Sequence, residues 1–195
     1  MDQPGSQSVD RPLRVFLIAG EPSGDLLGAR LMNAMKRQSG RSLEFIGVGG
    51  PRMESAGLTS LFPMSDLAVM GFAEVLPRAV GILRRMSRTA RAVKTQKPDV
   101  LVTIDAPSFC FGVLRKLRGT PVKKIHYVAP TVWAWRPGRA RKIAPLLDHL
   151  MVLLPFESPY FEKEGLATTF VGHPVLESDM KSADGKRFRK EHNIP

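Results

Sequence analysis

One cysteine, Cys110, stands among 195 residues. A single thiol excludes an internal disulfide and the paired-thiol zinc patterns, and it fits a reducing compartment. No apolar run approaches the roughly twenty residues that a spanning helix needs. The stretch from Met1 to Arg11 is short and polar and lacks the apolar centre of a secretory signal. The expectation is a chain that neither crosses a membrane nor leaves the cell, with the cytoplasm its simplest location. Neither G-x-G-x-x-G nor G-K-S/T occurs, so the usual nucleotide-cradling loops are missing. Internal repeats and low-complexity tracts are absent as well.

Acids are also in short supply. Lys and Arg number 29 against 18 Asp and Glu, a formal charge of +11. A small enzyme acting on a neutral metabolite has no need of such an excess, which points to an anionic partner. Nucleic acid, an anionic membrane surface and a phosphorylated substrate all fit, and composition does not separate them. With 43% hydrophobic residues the chain has material for one ordinary core.

Apolar, β-branched runs alternate with helical patterns. Strands are expected at Val15 to Ala19, Phe45 to Val48, Val100 to Ile104, Lys123 to Val128 and Leu150 to Leu154. Helices are expected at Leu26 to Arg37, Arg78 to Gln96, Phe109 to Arg118, Arg139 to Leu147 and Phe156 to Glu164. Val100 to Ile104 lacks in-out alternation, so both its faces should be covered, as in a parallel sheet between helices. The order predicts a doubly wound α/β domain over residues 13–177. Residues 1–12 read as a disordered leader. Residues 178–195 turn polar and read as a linker or the start of a further lobe.

Several turns carry candidate chemistry. Ala19 to Asp25 (AGEPSGD) is a strand-to-helix turn in which Ser23 can cap a helix beginning near Asp25. Its two carboxylates, Glu21 and Asp25, would repel phosphate and suit sugar hydroxyls, or they are solvated acids at a capped turn. In Gly47 to Met53, glycines allow close approach of a ligand and Arg52 could meet an anion. Asp105 directly follows the buried strand at 100–104, at the edge where open α/β sheets bind ligands. It reads either as a catalytic acid or as a helix cap. Cys110, one turn on, has no partner base in any motif and reads as a buried small residue. The loop from His126 to Arg136 holds both tryptophans, and Trp133 could stack on a sugar face or simply pack. His126, within a strand, reads as a structural histidine, since no second ligand stands at metal spacing. Gly172-His173-Pro174 closes the last strand.

Arg78 to Lys97 contains seven basic residues, among them Arg84, Arg85, Arg88 and Arg91, and no acid. Ala79, Leu83, Met86, Ala90 and Val93 form the opposing apolar stripe, expected to face the core. A face without acids suits an anionic membrane surface, because ordinary surface helices mix signs. Just before it, the apolar stretch Leu67 to Leu76, with Val69, Met70 and Phe72, would be buried or would contact acyl chains.

Taken together, AGEPSGD (19–25), GVGGPRM (47–53), AVMGFAEVLP (68–77), IDAPSF (104–109), HYVAPTVWAWR (126–136), LLPFE (153–157) and FVGHP (170–174) resemble the lipid-A-disaccharide synthase family in order and spacing. The resemblance implies the N-terminal lobe of a two-lobed, Rossmann-like GT-B glycosyltransferase. It implies inverting transfer of 2,3-diacylglucosamine from UDP-2,3-diacylglucosamine to 2,3-diacylglucosamine 1-phosphate, without metal or other cofactor. Asp105 then matches the proposed general base, and Glu21, Ser23, Asp25, Arg52, Ser108, His126 and Trp133 fall among substrate-binding positions. Many members have a second Asp where this chain has Ser108, which moves the weight onto Asp105. The resemblance further implies docking on the anionic cytoplasmic face of the inner membrane, through Val69, Met70, Phe72 and Leu76 and the arginines at 84, 85, 88 and 91. Another UDP-sugar enzyme of the same architecture is the nearest alternative. A nucleic-acid-binding module has only the charge in its favour, with no recognition helix, zinc pattern or RNA-binding aromatic signature.

Overall fold

The computed structural model describes residues 11–67, 75–135, 138–177, 184–192 and 194. Among these, the apolar runs form seven strands: β1 (Leu13–Ala19), β2 (Leu43–Val48), β3 (Leu58–Ser60), β4 (Val100–Ile104), β5 (Lys123–Tyr127), β6 (His149–Val152) and β7 (Thr168–Phe170). All pair in parallel, in the order β3-β2-β1-β4-β5-β6-β7. The helices are α1 (Pro22–Gln38), α2 (Pro51–Ser55), α3 (Val75–Gln96), α4 (Pro107–Lys116), α5 (Val132–Trp135), α6 (Arg139–Ile143), α7 (Ser158–Glu162) and α8 (Gly185–Glu191). This is the doubly wound, Rossmann-like α/β fold that the alternation of patterns predicts.

The winding reverses once. From β1 the chain steps outward to β2 and β3, then returns past β1 to β4 and continues the other way. Right-handed crossovers must therefore place α1 and α2 on one face and the later helices on the other. The core divides accordingly. Ala29 and Met32 of α1 and Met53 of α2 pack with Val15, Leu17, Val102 and Ile104. Ala90 and Val93 of α3, Phe111 and Leu114 of α4, Ile143 and Phe161 pack with Phe16, Ile18 and Leu101 on the opposite face. Both faces of β1 and β4 are covered, which is why neither strand alternates in sequence.

Several expectations need correction. The strand placed at 123–128 ends at Tyr127, because Val128 turns into the left-handed region at φ +79°. The single helices expected at 139–147 and 156–164 are each a short helix joined to a 3-10 turn, Ala144–Leu146 in one and Pro155–Glu157 in the other. Pro145 and Pro159 lack the N–H that a continuous α-helix uses there. The elements β3, β7 and α2 span only three to five residues, too few for a periodicity to show.

In α3 the expected core stripe holds only in part. Thr89, Ala90 and Val93 are buried and Met86 packs against the core, yet Leu83 is 55% exposed and Val80 53%. Residues 1–10 of the expected leader lie outside the described residues, while Arg11 donates from Nη1 to Asp99 at 2.9 Å at the base of β4. Residues 178–183 lie outside the described residues, and α8 follows them with an Asp184 side-chain cap. Among the described residues no helix is long and apolar enough to cross a membrane.

Candidate functional site

The reversal of winding leaves a crevice between the carboxyl ends of β1 and β4, where ligands bind in open α/β sheets. Two turns meet there. After β1, Gly20 and Glu21 lead into α1, which starts at Pro22, and after β4, Asp105 and Ala106 lead into α4, which starts at Pro107. The turns touch: a Cβ on Gly20 would lie 2.8 Å from the Ala106 Cβ, so only glycine allows them to close on each other.

Asp105 is half-buried, and its backbone is in the left-handed region at φ +50°, followed by Ala106 at φ +43°. Two consecutive non-glycine residues in this region carry strain of about 1–2 kcal/mol each. The turn is held by a hydrogen bond from Asp105 N to Tyr127 O of the neighbouring strand, 3.0 Å. Asp105 is not a helix cap: the residue at the N-cap of α4 is Ala106, and no side chain caps that helix. Its carboxylate instead accepts a long hydrogen bond from the Ser23 hydroxyl, Oγ to Oδ2 3.5 Å. Ser23 is therefore not the cap of α1 either. That helix begins earlier than expected, with Glu21 at its N-cap and no side-chain cap bond. Glu21 and Ser23 are both exposed, on the same turn.

Asp25 stands corrected as a cleft residue. It is 3% exposed, and its carboxylate accepts from the backbone N–H groups of Gly50, Arg52 and Met53 at 2.9, 3.1 and 3.0 Å. It closes the N-terminus of α2 from a neighbouring helix. Of the glycines in GVGGPRM, Gly50 answers to this neighbour, since a Cβ there would lie 2.7 Å from Asp25 Oδ2, while one on Gly47 would strike Leu17 O and one on Gly49 would strike Leu58 and Met53. Glu157 does the same in its own loop, buried and accepting from Leu153 N and Leu154 N. Sequence reasoning did not single out Glu157, and no local signal separated these two anchoring acids from Glu21 and Asp105.

His126 is fully buried, which agrees with its reading as a structural histidine and not with a place on the crevice surface, and its Nδ1 lies 2.7 Å from Thr103 Oγ1. Burial pushes its pKa down to about 4, which keeps the ring neutral. Cys110 is fully buried, and desolvation pushes its thiol far up, so it stays protonated and inert as expected.

Arg52 and Ser108 are exposed at the same sheet edge, one on α2 and one in the first turn of α4. Trp133, on α5 beyond β5, is 41% exposed and meets Phe156 edge to face at 5.2 Å between ring centroids. Phe156, 48% exposed, comes from the loop after β6 and was not anticipated as a site residue. The two rings extend the edge from the Asp105 crevice past β5 and β6.

The basic face of α3 is only partly free. Arg85 pairs with Asp66, an acid from outside the helix, and both Arg85 and Arg88 stack on the Phe62 ring. Arg88 also donates to Leu61 O at 2.9 Å. Arg84 and Arg91 are exposed beside Val80 and Leu83 and line shallow hollows with them. Val69, Met70 and Phe72 lie outside the described residues. Leu76 falls in the first turn of α3. Among the described residues, no group of three or more His, Cys, Asp or Glu side chains is placed to hold a metal ion.

The chain matches the family model described as lipid-A-disaccharide synthetase over residues 15–195. It is 60% identical to the lipid-A-disaccharide synthase of Rhodospirillum centenum, an alignment covering 94% of this chain and 46% of that protein. Identity to the enzyme of the same name from Paramagnetospirillum magneticum is 54%, over 92% of this chain and 47% of the relative. To that of Pseudomonas aeruginosa it is 47%, over 94% and 48%. The chain thus spans about half the length of the curated relatives it matches. With the family model matching nearly its whole length, the chain belongs to the lipid-A-disaccharide synthetase family.

Proposed function

We propose that this chain forms the acceptor-side half of a membrane-associated glycosyltransferase. In this reading it transfers 2,3-diacylglucosamine from UDP-2,3-diacylglucosamine to the 6-hydroxyl of 2,3-diacylglucosamine 1-phosphate. The other half of the relatives' length supplies the wall that grips the nucleotide. One observation carries the assignment. Asp105, half-exposed and held in a strained turn at the reversal of the sheet, is the carboxylate to which the Ser23 hydroxyl reaches.

Asp105 removes the proton from the acceptor 6-hydroxyl as its oxygen attacks the anomeric carbon of the donor. The bond from that carbon to the UDP oxygen breaks, and UDP leaves with the electron pair. A single in-line displacement of this kind inverts the anomeric centre and asks no metal of this half. Ser23 orients the carboxylate, while Glu21 and Ser108 take acceptor hydroxyls from the flanking turns. Arg52 meets the acceptor phosphate, and the Trp133–Phe156 pair offers a sugar face or acyl chain an apolar surface.

The acyl chains explain the surface beside the crevice. A Cβ on Gly20 would lie 3.7 Å from Leu67 Cδ1, so the residue that opens the apolar stretch 67–76 sits at the mouth of the crevice. On α3, exposed Val80 and Leu83 lie beside Arg84 and Arg91, neither of which pairs with an acid among the described residues. This combination docks on an anionic leaflet, here the cytoplasmic face of the inner membrane. The excess of positive charge then has a partner, and no nucleic acid is needed.

Replacing Asp105 with Asn in a full-length enzyme tests the base assignment. The expected loss in turnover at saturating substrates is about 100-fold or more. Near-normal turnover would remove Asp105 from the mechanism.

A further inference from the structure

The buried pair beneath the crevice is built with more care than packing alone requires. Thr103 and His126 face each other across β4 and β5, one rung below the point where both strands end. Thr103 Oγ1 lies 2.7 Å from His126 Nδ1 and 3.3 Å from Ile125 O, so the hydroxyl joins the ring to the backbone of the neighbouring strand. The other ring nitrogen, Nε2, is buried and has no hydrogen-bond partner among the described residues. On its other side the ring lies 4.7 Å from the Phe111 ring of α4, the helix that Asp105 leads into.

The next residues up are the strained ones. Asp105 and Ala106 follow β4 in the left-handed region, and Val128 follows β5 in the same region at φ +79°. The backbone bonds that tie them down run across the same strands, Asp105 N to Tyr127 O at 3.0 Å and Val128 N to Met151 O at 3.1 Å. Left-handed non-glycine residues persist only where their surroundings over-determine them. A specific polar bond in the last buried rung supplies such a constraint, whereas two apolar side chains would let the strand ends slide or splay.

We infer that His126 is a positioning residue. With Thr103 it locks the carboxyl ends of β4 and β5 so that Asp105 is held in its left-handed conformation, with its carboxylate in the crevice. The inference rests on Asp105 being the base. The pair acts through the backbone, and His126 itself neither meets substrate nor exchanges a proton with it.

Hydrogen exchange on the isotopically labelled chain reads the positioning without any turnover. Thr103→Val is nearly isosteric and removes only the hydroxyl. It should speed exchange of the Asp105 and Val128 amides about tenfold or more, while Phe16 and Leu17 amides stay protected and show the fold intact. Thr103→Ser should restore protection. His126→Asn, which keeps a donor near Nδ1, should exchange more slowly at these amides than His126→Leu.

In a full-length enzyme, Thr103→Val should lower kcat about tenfold with KM within about twofold and with the pH profile unchanged in shape. Unchanged exchange at Asp105, an equal loss in Thr103→Ser, or a rise in KM with kcat intact would each overturn the inference. Loss of one limb of the pH profile would do so too, by making His126 a proton carrier. Should Asp105→Asn prove active, the base assignment falls on its own evidence, and the exchange rates still decide whether the pair holds the turn.

Discussion

At the scale of single residues, four of the acids in the family motifs, the ones among the described residues, divide into two kinds. Asp25 and Glu157 are buried and spend their oxygens on backbone N–H groups, whereas Glu21 and Asp105 stand at the crevice. Removing an anchor should cost stability rather than chemistry. Asp25→Ala strands two buried donors and a part-buried one, and chemical denaturation should show a loss of about 3 kcal/mol, with Asp25→Asn intermediate. Asp105→Asn should leave stability nearly unchanged. The position of Asp105 at the carboxyl edge was legible because a carboxylate directly after a strand covered on both faces has one address in such a fold. Asp25 misled because its partners are Gly50 to Met53, 25 residues and more along the chain, and no local pattern announces a cap donated by another helix. His126 is a related case. Its position in a strand was legible, but which face of the sheet it takes, and that Thr103 waits there, follow from register alone.

Among the elements, α3 shows how far periodicity carries. Its spacing identified the helix and its buried half, but the expectation that Leu83 faces the core failed. Fully buried positions among its described side chains are confined to the later turns, and in the earlier ones Ile82 packs against the core while Val80 and Leu83 are exposed. The same departure strengthens the membrane reading, since exposed Val80 and Leu83 between Arg84 and Arg91 form an apolar and basic surface that water alone does not reward. The chain should bind vesicles containing anionic lipid and release as salt rises. Arg84→Glu together with Arg91→Glu should weaken binding about thirtyfold or more. Equal binding to neutral vesicles at any salt would reject the electrostatic part. Arg85 is a poor choice for this test, because its pairing with Asp66 ties down the segment before α3. The major strands and helices were legible because β-branched runs and 3.6-residue patterns alternate cleanly. The elements that were not legible, β3, β7 and α2, owe their existence to neighbours in the sheet rather than to their own sequence.

For the molecule as a whole, stability should fall with acid over two pH ranges. His126 is held neutral by burial with its pKa at about 4, below the usual histidine value, so between about 6.5 and 4 the unfolded chain binds a proton that the folded chain refuses. Asp99 is held down to about 2 by the Arg11 guanidinium and the Arg14 N–H, so the unfolded chain again binds more protons between 3.8 and 2. Both depressed values act in one direction. Stability is fully present near neutrality, falls first through the histidine range and then again through the carboxylate range. The early slope should flatten in His126→Gln, as measured by denaturant midpoints across pH.

The charge, the reversed winding and Leu67 at the crevice mouth support the proposal that this half holds the acceptor. Its direct test is to titrate the isotopically labelled chain with 2,3-diacylglucosamine 1-phosphate in dilute detergent and follow the backbone amides. Saturable shifts at Glu21, Ser23, Asp105 and Ser108, with UDP alone shifting none of them, are the predicted result. Saturable binding of the acceptor at the opposite, amino-terminal edge of the sheet, or of UDP at the Asp105 crevice, would contradict it.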